Sequence, residues 1–369
     1  MPAPYPSLPT VGGLPLDVNG NAGIPDSVGG AAPQHGFANI TRLAPSPTGA
    51  LHLGNARTFL VNWALARRLG WQIVLRIEDL DTPRVKPGVI SLTIELLTWL
   101  GIDWDHGPFI QSLDRASHVL AMEQLAAKRC IFPCDLSRKE IDAAASAPQE
   151  ESVRGGGTEG EVGAGTPNEG ENRFSSALRP SVLPATFVDG ASSWRFLVAD
   201  EIITFKDLFA GAQQHRPAAT IGDFVVWTKR GPDKPGQAAY QLAVVVDDAR
   251  SGVTHIVRGD DLLDSAARQL LLYRALELQS TPSYIHLPLV RGADGRRLAK
   301  RHGDSRLDTY RSKGVQPQRI IGLIAAWCGV VPHPVEMDAA EFQRRISLDI
   351  IPRSAVVLTP ELEAWLLSR

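Results

Sequence analysis

From residue 37 to residue 79 the chain reads as strand, turn-rich loop, helix and strand, an order that few folds accept. The first strand is FANITRL (37–43) and the second is WQIVLRI (71–77). Between them, Phe59, Leu60, Trp63, Ala64 and Ala66 recur at helical spacing inside the stretch Leu53 to Leu69. Arg67 and Arg68 fall in the last turn of that helix and Gly70 supplies a C-cap. The result is a βαβ unit, right-handed by default, with its ligand expected beyond the carboxyl ends of the strands.

The rest of the composition is uneven. Residues 1–36 hold seven Pro, seven Gly and two Asp, with no Lys or Arg. A secretory signal needs a basic start and a transit peptide needs Arg, so the segment is predicted to be a disordered tail. Residues 147–180 hold seven Gly, three Pro, six Glu and three Arg, and are predicted to be a disordered insertion in a surface loop. These segments carry −2 and −3 against −2 for the whole chain, leaving +3 on the 299 residues expected to fold. A mildly basic body permits a polyanionic partner. Three cysteines exclude a disulfide framework and favour a reducing compartment, so a cytoplasmic location is expected. The longest apolar run, Ile320 to Val331, has 12 residues and is too short to span a membrane.

The chemistry begins in the loop A-P-S-P-T-G-A-L-H-L-G-N, Ala44 to Asn55. A helix N-terminus favours phosphate through its free N–H groups and its dipole. His52 is expected to donate to phosphate oxygens, and Gly54 removes a Cβ that would block a flat nucleotide. Taken alone, H-x-G at a helix start is a capping turn with an incidental histidine.

The longer pattern, R-x-A-P-S-P-T-G-x-L-H-x-G-x-x-R-T from Arg42 to Thr58, resembles the N-terminal signature of the class I glutamyl-tRNA synthetases. Four further stretches resemble that family in order: Leu75 to Arg84, Ala239 to Asp248, Thr254 to Leu262, and Arg297 to Gly303. Pro45 to Asn55 is similar to the family's HIGH region, and Arg297 to Arg301 to its KMSKS loop. Only 68 residues follow Arg301, so the likeness is greatest to the short paralogues, the glutamyl-Q tRNA-Asp synthetases, with no anticodon-binding domain expected. That resemblance implies activation of L-glutamate by ATP with Mg²⁺, then transfer to the queuosine base at the wobble position of tRNA-Asp. The implied partners are glutamate, ATP and the tRNA-Asp anticodon stem-loop; no membrane is involved, and a monomer is expected.

By the same resemblance Arg42, Ala44, Ser46, Glu78, Tyr240 and Arg258 hold glutamate. His52, Gly54, Asn55 and Lys300 bind ATP, with His52 and Lys300 catalytic. The chemistry agrees: two carboxylates call for guanidinium forks and one ammonium calls for an acid. No protein nucleophile is needed, because catalysis rests on positioning and on charge stabilisation at the phosphates. No general base for the transfer step is evident. Two departures stand out. Arg297 and Ala299 replace the commoner Lys and Ser of the loop, while Lys300 is retained. Relatives often bind zinc after a C-x-C; here Cys134 is followed by Leu136, so no metal is expected and Cys130 and Cys134 are read as small buried hydrophobes.

The expected architecture is α/β: a Rossmann-like doubly wound parallel sheet of the class I synthetase type, with an inserted α/β domain and a small C-terminal helical region. Residues 37–130 and 216–290 form the two sheet halves, 131–215 the inserted acceptor-type domain, and 291–369 the KMSKS-like loop and helices. Phe224 to Thr228 and Gln241 to Val246 are read as strands, and Leu262 to Leu278 as a helix. Two alternatives stay open: a shortened glutamyl-tRNA synthetase charging a tRNA 3′ end, and a non-catalytic RNA-binding paralogue.

Overall fold

The computed structural model describes residues 39–47, 49, 51–81, 84–137, 139–141, 173–231, 234–295, 298 and 305–368. The tail at 1–36, the stretch 147–172 of the insertion, and Arg297 with Ala299 to Arg301 lie outside these residues. Strand β1 (Ile40–Leu43), helix α1 (Leu53–Leu69) and strand β2 (Gln72–Ile77) form the expected βαβ unit. Helix α1 ends at Gly70 in the left-handed conformation, where a side chain would be strained.

The chain continues through α2 (Val89–Trp99), β3 (His106–Ile110), α3 (Arg115–Ala127), β4 (Ile131–Pro133), β5 (Trp194–Phe196), β6 (Ile203–Asp207) and β7 (Gly211–His215). After β8 (Phe224–Thr228) and β9 (Gln237–Ala238) come α4 (Tyr240–Arg250), β10 (His255–Gly259), α5 (Leu263–Ala275), β11 (Ser283–Leu287) and β12 (Val290–Gly292). The C-terminal region carries α6 (Leu307–Ser312), α7 (Pro317–Trp327), α8 (Ala339–Arg345), β13 (Val356–Leu358) and α9 (Pro360–Leu367).

The main sheet has seven strands in the order β3-β2-β1-β10-β11-β6-β7. It is parallel except at the β7 edge, which runs antiparallel to β6. The chain steps outward from β1 to β3 and later returns to β10 on the other side of β1. That reversal makes the β1–β10 junction the switch point, where a crevice opens beyond the strand ends.

Strand alternation sorts the side chains. Leu43, Ile73, Leu75, Ile77, Val257, Ile285 and Leu287 join the apolar core that contains α1 and α7. Their neighbours Arg42, Arg76, Arg258 and His286 face the other way, toward α4 and α5. No helix among the described residues is long and apolar enough to cross a membrane.

Three expectations are corrected. Gln241 to Val246 is not a strand but the interior of α4, in which every residue from Gln241 to Asp248 is buried. A short β-branched run buried on all sides has no periodicity to separate the two states. Phe224 to Thr228 is a strand but belongs to a second, antiparallel sheet, β4-β5-β8-β9, while β6 and β7, assigned to the insertion, complete the main sheet. Finally, residues 173–180 are packed rather than disordered. Phe174 is buried against Phe132, and both Arg179 Nε and Nη2 donate to the Asp223 carboxylate.

Candidate active site

A cleft of about 1070 Å³ opens at the switch point. All six proposed glutamate residues line it, as do His52, Gly54 and Asn55. Arg42 comes from the end of β1, Glu78 follows β2, and Arg258 lies near the end of β10. Tyr240 opens α4 rather than sitting on a strand end or loop. It keeps 39% of its surface open to the cleft, while the protein packed around its hydroxyl pushes the phenol pKa up.

Arg42 and Glu78 belong to one buried lattice with Arg76 and Asp248. Asp248 accepts from Arg76 Nη1 at 2.6 Å and from Arg42 Nε at 3.4 Å. Arg76 Nη2 donates to Glu78 at 2.9 Å. Burial pushes the Glu78 pKa up; Arg76 and Arg42 pull it back only in part. Arg258 is held separately: Nε donates to His286 Nε2 at 2.9 Å, Nη1 to Gln269 at 3.0 Å and Nη2 to the Leu262 carbonyl at 3.2 Å. Motif reading gave no role to Arg76, Asp248, Gln269 or His286. For Arg76 and His286 a signal was present: a single polar residue within an otherwise apolar stretch, in V-L-R-I and Y-I-H-L.

The ATP side departs from the simple phosphate-cradle expectation. His52 is the N-cap of α1, and its Nδ1 accepts from the N–H groups of Gly54 and Asn55 at 3.1 and 3.4 Å. The Asn55 side chain returns the bond to the His52 N–H at 3.2 Å, closing a capping box. The N–H groups of Leu53 and Ala56 are also taken, by Ser305 and His52 carbonyls. The first turn therefore offers phosphate its dipole rather than unpaired N–H groups. Nδ1 as acceptor puts the imidazole proton on Nε2, which makes His52 a donor there. A Cβ on Gly54 would stand 2.9 Å from His52 Cε1, so this glycine makes room for the imidazole.

Lys300 lies outside the described residues, but the flanks of its loop are placed. Leu298 and Ser305 both line the cleft. Leu307 N–H donates to the Leu51 carbonyl at 2.8 Å and Leu53 N–H to Ser305 at 3.1 Å, tying the loop's return to the helix start. Cys130 and Cys134 are half-buried against different apolar clusters. No group of three or more metal-ligating residues occurs among the described residues.

The sequence profile described as tRNA synthetases class I (E and Q), catalytic domain, matches residues 39–336. The chain belongs to this family. Class I synthetases of this group include two kinds of relative. A glutamyl-Q tRNA(Asp) synthetase of Symbiobacterium thermophilum is 43% identical over 333 residues, covering 88% of this chain and 97% of the relative. One from Rhodopirellula baltica is 43% identical over 307 residues, covering 83% and 89%. A glutamate–tRNA ligase of Parasynechococcus marenigrum is 38% identical over 295 residues, covering 80% of this chain but 59% of the ligase. Among solved structures, a glutamate tRNA ligase from Elizabethkingia meningosepticum in complex with its amino acid superposes with a TM-score of 0.68 at 25% identity. That likeness covers 89% of this chain and 68% of the ligase.

Proposed function

We propose that this protein activates L-glutamate with ATP and transfers the glutamyl group to the queuosine base at the wobble position of tRNA-Asp. The observation that carries the glutamate half is the charge set at the switch point. At the strand ends Arg42, Arg258 and Glu78 open into a single cleft, whose wall also carries Arg57, Asp261 and Arg306. They complement an amino acid with two carboxylates and one ammonium. For the acceptor half, support comes from the near full-length likeness to the glutamyl-Q tRNA(Asp) synthetases, set against 59% coverage of a glutamate–tRNA ligase.

In this reading Glu78 takes the substrate ammonium, with Arg76 keeping its carboxylate ionised. Ala44 and Ser46 lie along the amino acid, and Tyr240 flanks it at the cleft mouth. A carboxylate oxygen of glutamate attacks the α-phosphorus of ATP, the bond to the β-phosphate oxygen breaks, and pyrophosphate leaves. His52 Nε2–H and Lys300 stabilise the negative charge on the phosphates, with Mg²⁺ carried by the ATP. A hydroxyl of the acceptor nucleoside then attacks the glutamyl carbonyl and AMP departs. The protein is taken to act as a cytoplasmic monomer without zinc.

The Arg42, Glu78 and Arg258 side chains are already bonded to the scaffold, so the glutamate site is preformed. Pyrophosphate exchange tests this. Exchange is expected with glutamate and ATP alone. Glutamine is expected to be disfavoured by about ten- to a hundredfold, because its amide leaves a buried guanidinium unpaired. Exchange that appears only on adding tRNA would overturn the preformed site and favour the second reading, a shortened glutamyl-tRNA synthetase.

A further inference from the structure

Arg258 has five donor hydrogens, and among the described residues three of them are bonded by the protein, leaving one on each Nη for a carboxylate. What the three protein bonds accomplish is to fix the guanidinium plane, and the Nε bond is the distinctive one. Its acceptor is the imidazole of His286, which sits beside Arg258 in the parallel register of β10 and β11. An imidazole nitrogen can accept only if its proton is on the other nitrogen. Asp207 ensures this: its Oδ2 lies 2.6 Å from His286 Nδ1.

Asp207 is itself immobilised at the end of β6. Its Oδ1 accepts from the N–H groups of Phe209 at 2.8 Å, Ala210 at 2.6 Å and His286 at 3.3 Å. Burial opposes the ionised carboxylate, and these bonds outweigh it, holding Asp207 below the usual carboxylate range. His286 is fully enclosed, and burial pushes its pKa down to about 4, so it stays neutral. On the other side of Arg258, the Gln269 amide is oriented by Gln241, whose own amide donates to Ser265. Three strands and two helices thus converge on one guanidinium.

We propose that His286, held in its Nδ1–H form by Asp207, is a positioning residue that aims Arg258 at the glutamate carboxylate. It sets affinity for the amino acid without touching it. This rests on the glutamate reading above and extends it to residues outside the recognised motifs.

The test is pyrophosphate exchange by the full chain, with total tRNA present, varying glutamate and ATP separately. His286→Leu removes the acceptor; His286→Gln offers a side-chain carbonyl in its place; Asp207→Asn frees the tautomer. His286→Leu is expected to raise the glutamate KM by about tenfold or more, because a bond to a charged group is lost. Its ATP KM is expected to stay within about threefold. His286→Gln should bring the glutamate KM back toward wild type, and Asp207→Asn should raise it by about tenfold. A structural role alone would not separate the two KM values or respond to the amide.

The proposal is overturned if the glutamate KM of His286→Leu stays within about threefold of wild type, or if both KM values rise together. Should His286→Leu fail to fold, Asp207→Asn decides: an unchanged glutamate KM overturns the proposal. A wild-type protein without glutamate-dependent exchange would overturn the glutamate reading itself, a result distinct from unmoved variants of an active enzyme.

Discussion

At the scale of single residues, the site is built from charges placed where apolar side chains would be expected. Arg76 is fully buried, and it is tolerated because Asp248 and Glu78 accept from it. The cost falls on Glu78, whose carboxyl is pushed above its ordinary value of 4.5. The sign follows directly. An acid with a raised pKa loses its charge at a higher pH than a free glutamate side chain does. Its ability to hold an ammonium is therefore lost as pH falls through the raised value, earlier than for a free glutamate side chain. Glutamate KM, measured by exchange from about pH 7 to about pH 5, is expected to rise toward acid while ATP KM stays flat. Parallel behaviour of the two would remove Glu78 from the ammonium role. Much of this was legible: Arg42, Glu78, Tyr240 and Arg258 stand in recognised motifs and converge on one cleft. Asp248 lies inside a quoted motif, but its role as a hub depends on α4 crossing two strands more than 170 residues away in sequence. Asp207 and His286 meet only when β6 docks beside β11, which no local pattern encodes.

At the scale of elements, the helix start and the loop after β12 work as one unit. The residues around His52 pair with Ser305 to Leu307, and Leu298 and Ser305 both line the cleft wall. Lys300 lies two residues beyond Leu298. Lys300→Ala is expected to lower glutamate-dependent exchange by about a hundredfold or more, the scale of losing one preorganised charge at a reacting phosphate. Its thermal midpoint is expected to match wild type. Retained exchange within a few-fold would place the phosphate charge elsewhere. Sequence reading recovered β1, α1, β2, β8 and α5 as elements of the right type, α1 through its periodicity and glycine cap. It misread α4 because Val244, Val245 and Val246 favour strands locally, while tertiary packing buries them as a helix. It extended the insertion too far because residues 173–180 are polar on average, yet Phe174 and Arg179 each have a specific buried partner.

At the scale of the molecule, the sheet reversal between β1 and β10 gathers three strand ends at one crevice, and helices from both halves complete it. Such a core also carries three buried histidines, His118, His255 and His286. Burial holds His255 and His286 at about 4, against an ordinary value of 6.5. A depressed histidine pKa means that the unfolded chain binds the extra proton first. The stabilisation is complete above about pH 6.5 and is lost as pH falls toward 4, on the order of 2 kcal/mol per histidine by about pH 5. Thermal unfolding followed from about pH 7 to pH 5 should show a midpoint falling by several degrees, and His255→Gln should reduce that fall. A flat profile would mean that these imidazoles are not held neutral. Where the glutamate goes is read by following a label into the tRNA. The protein is incubated with labelled glutamate, ATP and total tRNA, the tRNA is digested to nucleosides, and the label is located. The label is expected on the queuosine nucleoside of tRNA-Asp. Label on the 3′-terminal adenosine would contradict the proposed acceptor.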